Sequence, residues 1–255
     1  MKFGIKLWST NAELIKQAKI HYDKGDFDYI ELSAIMDTYD EELLSHLKGI
    51  PVIIHSDVRY ENSKDDINFA DKNCFENNIK SLKEAQRFAN FFNARYIIIH
   101  PGHNGSYEDI NQVLDEFNDS RICVENMPGR SFDLKYECLG RTKEELLKID
   151  CKNYCLDIAH AIKAAKTLGY GPYELINILN ELEPQIIHMS DGNIDSEVDE
   201  HKHIKCGNFD FEILERFINS KLITLETPKN NRLSFEYDLK NIYKIKSILK
   251  WKKKL

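Results

Sequence analysis

Short apolar runs recur along the chain, each followed by a longer stretch with helical spacing of apolar positions. The runs are FGIKLW at 3–8, YIELS at 29–33, VIIH at 52–55, YIIIH at 96–100, ICVEN at 122–126, YCLD at 154–157, IIHMS at 186–190 and LITLE at 222–226. Most show little strict alternation of apolar and polar positions, which is expected of strands covered on both faces. The intervening pattern predicts helices near 11–24, 39–48, 70–92, 106–118, 142–149, 160–182, 209–219 and 234–252. Eight strands alternating with eight helices predict a single closed (β/α)8 TIM barrel rather than a short parallel sheet. Gly25, Gly49 and Gly169 are placed to release helices into turns, and Pro51 and Pro172 restrict loop or helix starts.

A chain of 255 residues suits one such barrel, and no Gly/Pro/Ser-rich linker, low-complexity tract or exact repeat divides it, so 1–255 is read as one domain. No glycine-rich fingerprint marks a Rossmann or Walker phosphate site. The six cysteines form no C-x-x-C pair, and reduced thiols in a cytoplasmic protein are the expectation. The opening MKFGIKLWSTN turns polar quickly, and no stretch approaches the ~18 consecutive apolar residues of a membrane span, so neither a standard signal nor membrane association is expected. With 35 basic and 42 acidic residues, the formal charge of -7 argues against a generally basic nucleic-acid-binding surface. Bound divalent ions would reverse the local potential of their carboxylate ligands, so an anionic partner stays open.

The chemistry gathers where the apolar runs end. His55 follows VII, His100 follows YIII, Glu125 follows ICV, Asp157 follows YCL, His188 follows II and Glu226 follows LITL. In a β/α barrel every strand points its C-terminal end at the same rim, so residues far apart in sequence meet around one pocket. A lone buried histidine is usually structural, and a lone acid at a strand end often caps the next helix. Neither explains the convergent set. His160 stands three residues after Asp157, and the loop 199-DEHKHIKCG-207 adds Asp199 with His201 or His203. Imidazoles and carboxylates in this number fit a multinuclear metal centre, and hence catalysis.

In their order, 55-HSDVRY-60, 100-HPGH-103, 125-ENMPG-129, 157-DIAHA-161, 188-HMSD-191, 199-DEHKHIKCG-207 and 225-LETP-228 resemble the motifs of the endonuclease IV family, within the xylose-isomerase-like barrels. The resemblance covers nearly the whole chain and selects His201 over His203. It implies three divalent ions, zinc first and Mn2+ as the alternative. His55, His100 and Glu125 would hold the first; Glu125, Asp157, His188 and Glu226 the second; His160, Asp199 and His201 the third. Glu125, Asp157, His188 and Glu226 are the expected catalytic set. The implied activity is hydrolysis of abasic duplex DNA on the 5′ side of the lesion, leaving a 3′-hydroxyl, with no protein partner required. Asp191 and His103 are expected to support the ligands by hydrogen bonding, and Arg130, Lys135 and Arg141 are candidate phosphate contacts. The chain departs from the family pattern at Glu200 (Arg expected), Lys205 (Gly), Ser190 (Asn) and Val58 (a DNA-probing Tyr). The basic end 250-KWKKKL-255 is expected at the opposite rim, with Trp251 packing there. Two alternatives accompany this reading: a sugar isomerase or epimerase needing only Glu125, Asp157, His188 and Glu226, and a metal-dependent nucleic-acid-binding protein without turnover.

Overall fold

A computed structural model describes residues 1–59, 66–217 and 221–249. Strands β1 (Lys2–Trp8), β2 (Tyr29–Ala34), β3 (Val52–Ser56), β4 (Ile97–Ile99), β5 (Ile122–Glu125), β6 (Asn153–Asp157), β7 (Ile186–Met189) and β8 (Leu222–Leu225) close in chain order into a barrel, each parallel to its neighbours. Helices α1 (Ala12–Asp23), α2 (Glu41–Ser45), α3 (Phe75–Phe92), α4 (Tyr107–Phe117), α5 (Lys143–Leu146), α6 (Ile158–Leu168), α7 (Glu174–Asn180), α8 (Phe211–Leu214) and α9 (Glu236–Ile248) lie between or after them. The expected architecture is therefore present, with shorter helices than predicted at several positions. The predicted helix 160–182 is two helices, because Gly169 closes α6 in the left-handed region at φ 79° and Gly171 and Pro172 follow.

The strands look continuously apolar because both faces are buried, yet the two faces do different work. Outward residues such as Phe3, Ile5, Leu7, Ile30, Leu32, Ile97, Ile99, Val124, Leu156, Ile187 and Ile223 join one core under the helices. Inward residues Tyr29, Ile53, Tyr96, Ile98, Cys123, Cys155 and Ile186 form a separate cluster that plugs the barrel. Burying a large aliphatic side chain contributes about 1.5–3 kcal/mol, so the two layers together supply the main driving force for closure. Gly4 is required by this packing. A Cβ there would lie 2.4 Å from the ring of Tyr29, its register partner on β2. The Tyr29 hydroxyl ends at Thr224 Oγ1, 2.9 Å away.

Side chains alternate along a strand, so the residue two positions beyond each inward floor residue also points inward, one layer nearer the C-terminal rim. That step leads from Tyr29 to Glu31, Ile53 to His55, Ile98 to His100, Cys123 to Glu125, Cys155 to Asp157 and Ile186 to His188. The fold thereby converts a period of two into a ring of ionisable groups. Among the described residues no helix is long and apolar enough to cross a membrane. All six cysteines are free thiols. The 250–255 tail, including Trp251, lies outside the described residues.

Candidate metal centre

The structure brings together all nine residues named from the strand ends, the 157–160 segment and, by the family resemblance, the late loop. His55, Glu125, Asp157 and His188 are buried on their strands, with Glu226 directly after β8 and His100 directly after β4. His160 stands in the first turn of α6, and Asp199 and His201 reach in from the loop between β7 and α8. Three donor groups result: His55 with His100 and Glu125; Glu125 with Asp157, His188 and Glu226; and His160 with Asp199 and His201. Within each group the donor atoms lie within 4.8 Å of one another. Glu125 belongs to the first two groups, its Oε2 lying 3.3 Å from His55 Nε2, 3.2 Å from His100 Nε2 and 3.2 Å from His188 Nδ1. Its other oxygen lies 3.2 Å from His160 Nδ1, which joins the third group to the rest.

The hydrogen bonds fit metal ligation. A ligating imidazole is normally fixed by donating its second nitrogen to an oxygen. His55 Nδ1 lies 2.8 Å from the Ser56 carbonyl, His160 Nδ1 2.9 Å from the Asn126 carbonyl and His201 Nδ1 3.1 Å from the Glu226 carbonyl. Each carbonyl can only accept, so those nitrogens carry hydrogens and Nε2 is the atom left to face a cation. In His188 the roles are exchanged: Nε2 donates to Glu31 at 2.8 Å, and Nδ1 faces Glu125 and Glu226. Asp157 both caps and points into the site. Its Oδ1 accepts from His160 N at 2.7 Å, whereas Oδ2 is buried without a hydrogen bond. Asp199 Oδ1 is orphaned in the same way, and Glu125 Oε1 and His188 Nδ1 have only the contacts with their neighbouring ligands given above. Buried polar atoms left unpaired cost ~1–3 kcal/mol each, and a shared cation satisfies them at once. The residues present therefore fit a cluster of divalent ions.

Electrostatics points the same way. Burial pushes the Asp157 carboxyl up to about 7, with Glu125, Glu226 and Asp199 adding to the rise against His160. Burial opposes a charge on His201, but Asp199 outweighs it and raises the imidazole to about 9. Burial alone would also raise Glu125, yet His188 and His100 hold it well below the usual carboxylate range. The ring of acids thus draws positive charge to its centre, a demand that cations meet in place of protons.

Lys6 and Glu31 also reach this site, and they escape a search confined to strand ends because they stand mid-strand. They are register partners on β1 and β2. The Lys6 ammonium contacts Glu226 and lies 3.3 Å from Glu31 Oε1. Glu31 also accepts from Thr224 Oγ1 at 2.7 Å. The signal was a charged residue inside an otherwise apolar run, in FGIKLW and YIELS. Asn126 is a second omission: its side chain accepts from Asp157 N at 2.7 Å and donates to Asp157 O at 3.1 Å, tying β5 to β6 behind the ligands. Lys6, Trp8, His55, Val58, His100, His160, His201, Glu226, Thr227 and Pro228 are among the walls of a cavity of about 270 Å³.

Other expected residues stand elsewhere. His203 turns to α9, with Nε2 2.8 Å from Asn230, Nδ1 2.9 Å from Asn241 and its ring stacked on Tyr237. Asp191 anchors backbone rather than a ligand ring, accepting from Gly192, Gly207 and Phe209 N at 2.8, 2.9 and 3.2 Å. His103 stacks on Tyr136 beside a separate cavity lined by Asp66, Asp71 and Asp133. Arg141 is not presented to a phosphate: Glu145 holds its guanidinium at 2.8–3.2 Å and Glu137 at 3.3 Å. Lys135 pairs with Asp133 at 2.7 Å, and Arg130 lies 3.9 Å from Glu197.

Comparison with known proteins places this arrangement. The family model for the xylose isomerase-like TIM barrel matches residues 16–253. A probable endonuclease 4 of Metamycoplasma arthritidis is 25% identical over 242 residues, covering 86% of this chain and 80% of that protein. One from Mycoplasma mobile is 29% identical over 187 residues, covering 63% of this chain and 65% of its own. Among solved structures, endonuclease IV of Thermus thermophilus superposes with a TM-score of 0.74 at 22% identity, over 98% of this chain and 99% of that one. The chain belongs to the xylose isomerase-like TIM-barrel family, with endonuclease IV proteins among its relatives.

Proposed function

We propose that this protein is a metal-dependent AP endonuclease that hydrolyses duplex DNA 5′ to an abasic site and leaves a 3′-hydroxyl. The observation that carries the reading is the meeting of three donor groups around Glu125, which belongs to the first two and whose Oε1 lies 3.2 Å from His160 of the third. The names of the curated relatives support the substrate. In this reading His55, His100 and Glu125 hold one divalent ion, Glu125, Asp157, His188 and Glu226 a second, and His160, Asp199 and His201 a third; zinc is the first expectation and Mn2+ the alternative. When bound, such ions supply an activated water and neutralise charge on the attacked phosphate and the leaving oxygen.

The chain's own residues prepare that chemistry. Glu31 holds the His188 ring so that Nδ1 faces Glu125 and Glu226, and Asn126 fixes both Asp157 and the tautomer of His160. Trp8, Val58 and Pro228 give the cavity apolar walls that limit water around the reacting phosphate. A sugar lacking its base can leave the duplex without losing a base pair, which favours an abasic nucleotide as the group taken up. A sugar isomerase would need only the group of Glu125, Asp157, His188 and Glu226. It would leave His55, His100, His160, Asp199 and His201 without a purpose.

The test is an assay of fully metallated protein on end-labelled abasic and intact duplexes, with analysis of product ends. Metal-dependent incision 5′ to the lesion with a priming-competent 3′-hydroxyl is expected. Stable, fully loaded protein that does not incise defeats the proposal. Metal-dependent binding of the abasic duplex without turnover would instead support the binding-protein alternative, and reproducible ketose isomerisation the sugar-enzyme one.

A further inference from the structure

We infer that the buried Lys163–Glu200 ion pair is a positioning device for the third donor group, an inference that rests on the metal-centre reading. Lys163 is fully buried on α6, where a bare ammonium would be strongly unfavourable. Its Nζ donates to Glu200 Oε2 at 3.1 Å and to the Asn193 carbonyl at 2.6 Å. The same Glu200 oxygen accepts from Asn193 N at 2.6 Å, and the other lies 2.8 Å from Lys202 Nζ. Every polar atom of the Glu200 carboxylate is thus engaged within the protein.

Sequence spacing explains why this pair bears on the ligands. Lys163 is three residues after His160, so both project from neighbouring positions on α6. Glu200 stands between Asp199 and His201. The two ligands converge on His160, with His160 Nε2 3.3 Å and His201 Nε2 2.6 Å from Asp199 Oδ2, while Glu200 reaches Lys163. One ion pair therefore ties the helix bearing one donor to the loop bearing the other two. That loop needs such a tie, because His201 and Lys205 hold left-handed backbone at φ 44° and 65°, a conformation non-glycine residues rarely adopt unaided. Asp191 and Lys202 add two backbone hydrogen bonds, of 2.9 and 2.7 Å, and Glu200 adds the loop's contact with Lys163 to the one Asp199 makes with His160.

The experiment measures metal content and affinity of the full chain with Zn2+ and Co2+, for the parent, Lys163→Met, Glu200→Gln and, as a ligand deletion, His160→Ala. Loss of one metal equivalent is expected for His160→Ala. Lys163→Met and Glu200→Gln should each weaken one equivalent about 10- to 100-fold and alter its Co2+ absorption, leaving the other two unchanged. The double variant Lys163→Met/Glu200→Gln should be no worse than the poorer single one, because both act through one contact. Unchanged affinity in both single variants overturns the inference while His160→Ala still supports the metal centre. If His160→Ala loses no metal, the metal-centre reading fails and the inference with it. Should Lys163→Met not fold, Glu200→Gln decides alone.

Discussion

The two ends of the barrel interior are built from the same strands and differ in almost everything else. At the floor, Tyr29, Ile53, Ile98, Cys123, Cys155 and Ile186 pack together, and the Tyr29 hydroxyl has its partner in Thr224. One layer higher, Glu31, His55, Glu125, Asp157 and His188 are buried as completely, yet several of their atoms carry no hydrogen bond. The floor stabilises the fold. The rim holds unsatisfied charge in a fixed geometry, which is unfavourable for stability and suited to binding cations. Two residues of strand, about 6.6 Å of rise, separate the regions.

Substitutions at the two levels should therefore fail differently. Glu125→Gln is expected to give the largest effect, lowering turnover on the order of 100-fold or more, because an amide cannot join two donor groups as a carboxylate does. Circular dichroism should show an intact barrel, and wild-type turnover with full metal content would contradict the role. Ile98→Ala, one layer below on the neighbouring strand, should show the opposite signature. Its cavity should cost about 2–5 kcal/mol in denaturant unfolding while metal stoichiometry stays at the parent value. Loss of metal from that variant would erase the distinction between floor and rim.

Much of this division was legible in the sequence because inward positions recur every second residue. In ICVE, YCLD and YIIIH, the terminal ligand and the floor residue are two apart, so locating the strand ends located His100, Glu125 and Asp157. His160, Asp199 and His201 were harder: periodicity showed a helix start and a charged loop, and only the family resemblance preferred His201 to His203. The structure supplies the reason, since Asn230, Asn241 and Tyr237 occupy His203. Lys6 and Glu31 were illegible from strand ends, because their partnership depends on the β1–β2 register. Arg141 looked available for phosphate because its captor, Glu145, lies across a helix start whose geometry the sequence did not show. The break at Gly169–Pro172 was marked by its residues, yet apolar spacing ran through it.

Glu31→Gln sharpens the boundary between the levels. The substitution removes the charge that faces both Lys6 and His188, and should weaken metal binding about tenfold through the His188 ring, with a smaller change in unfolding free energy. Equilibrium metal competition would check this; an unchanged affinity would make Glu31 only a counter-ion for Lys6.

The smallest expected effect lies at the N-terminal entry to β5. Hydrogen bonding from Arg121 holds Asp119 down at about 2 from an ordinary 3.8, with burial opposing. A lowered carboxyl stabilises the fold above the unfolded-state value and loses that contribution as pH falls through the folded one. The stability difference between the parent and Asp119→Asn should thus be full above pH ~4 and shrink towards pH ~2. Urea titrations across that window would check it, and a difference that grows on acidification would contradict the assignment.

The central claim, that the rim is a three-ion centre joined by Glu125, is tested most directly by anomalous diffraction combined with elemental analysis on a preparation shown to be active. The account predicts three divalent ions, one at each donor group, with Glu125 contacting two of them. A competent preparation holding a single ion, with His55, His100 and Asp199 uncoordinated, would contradict it.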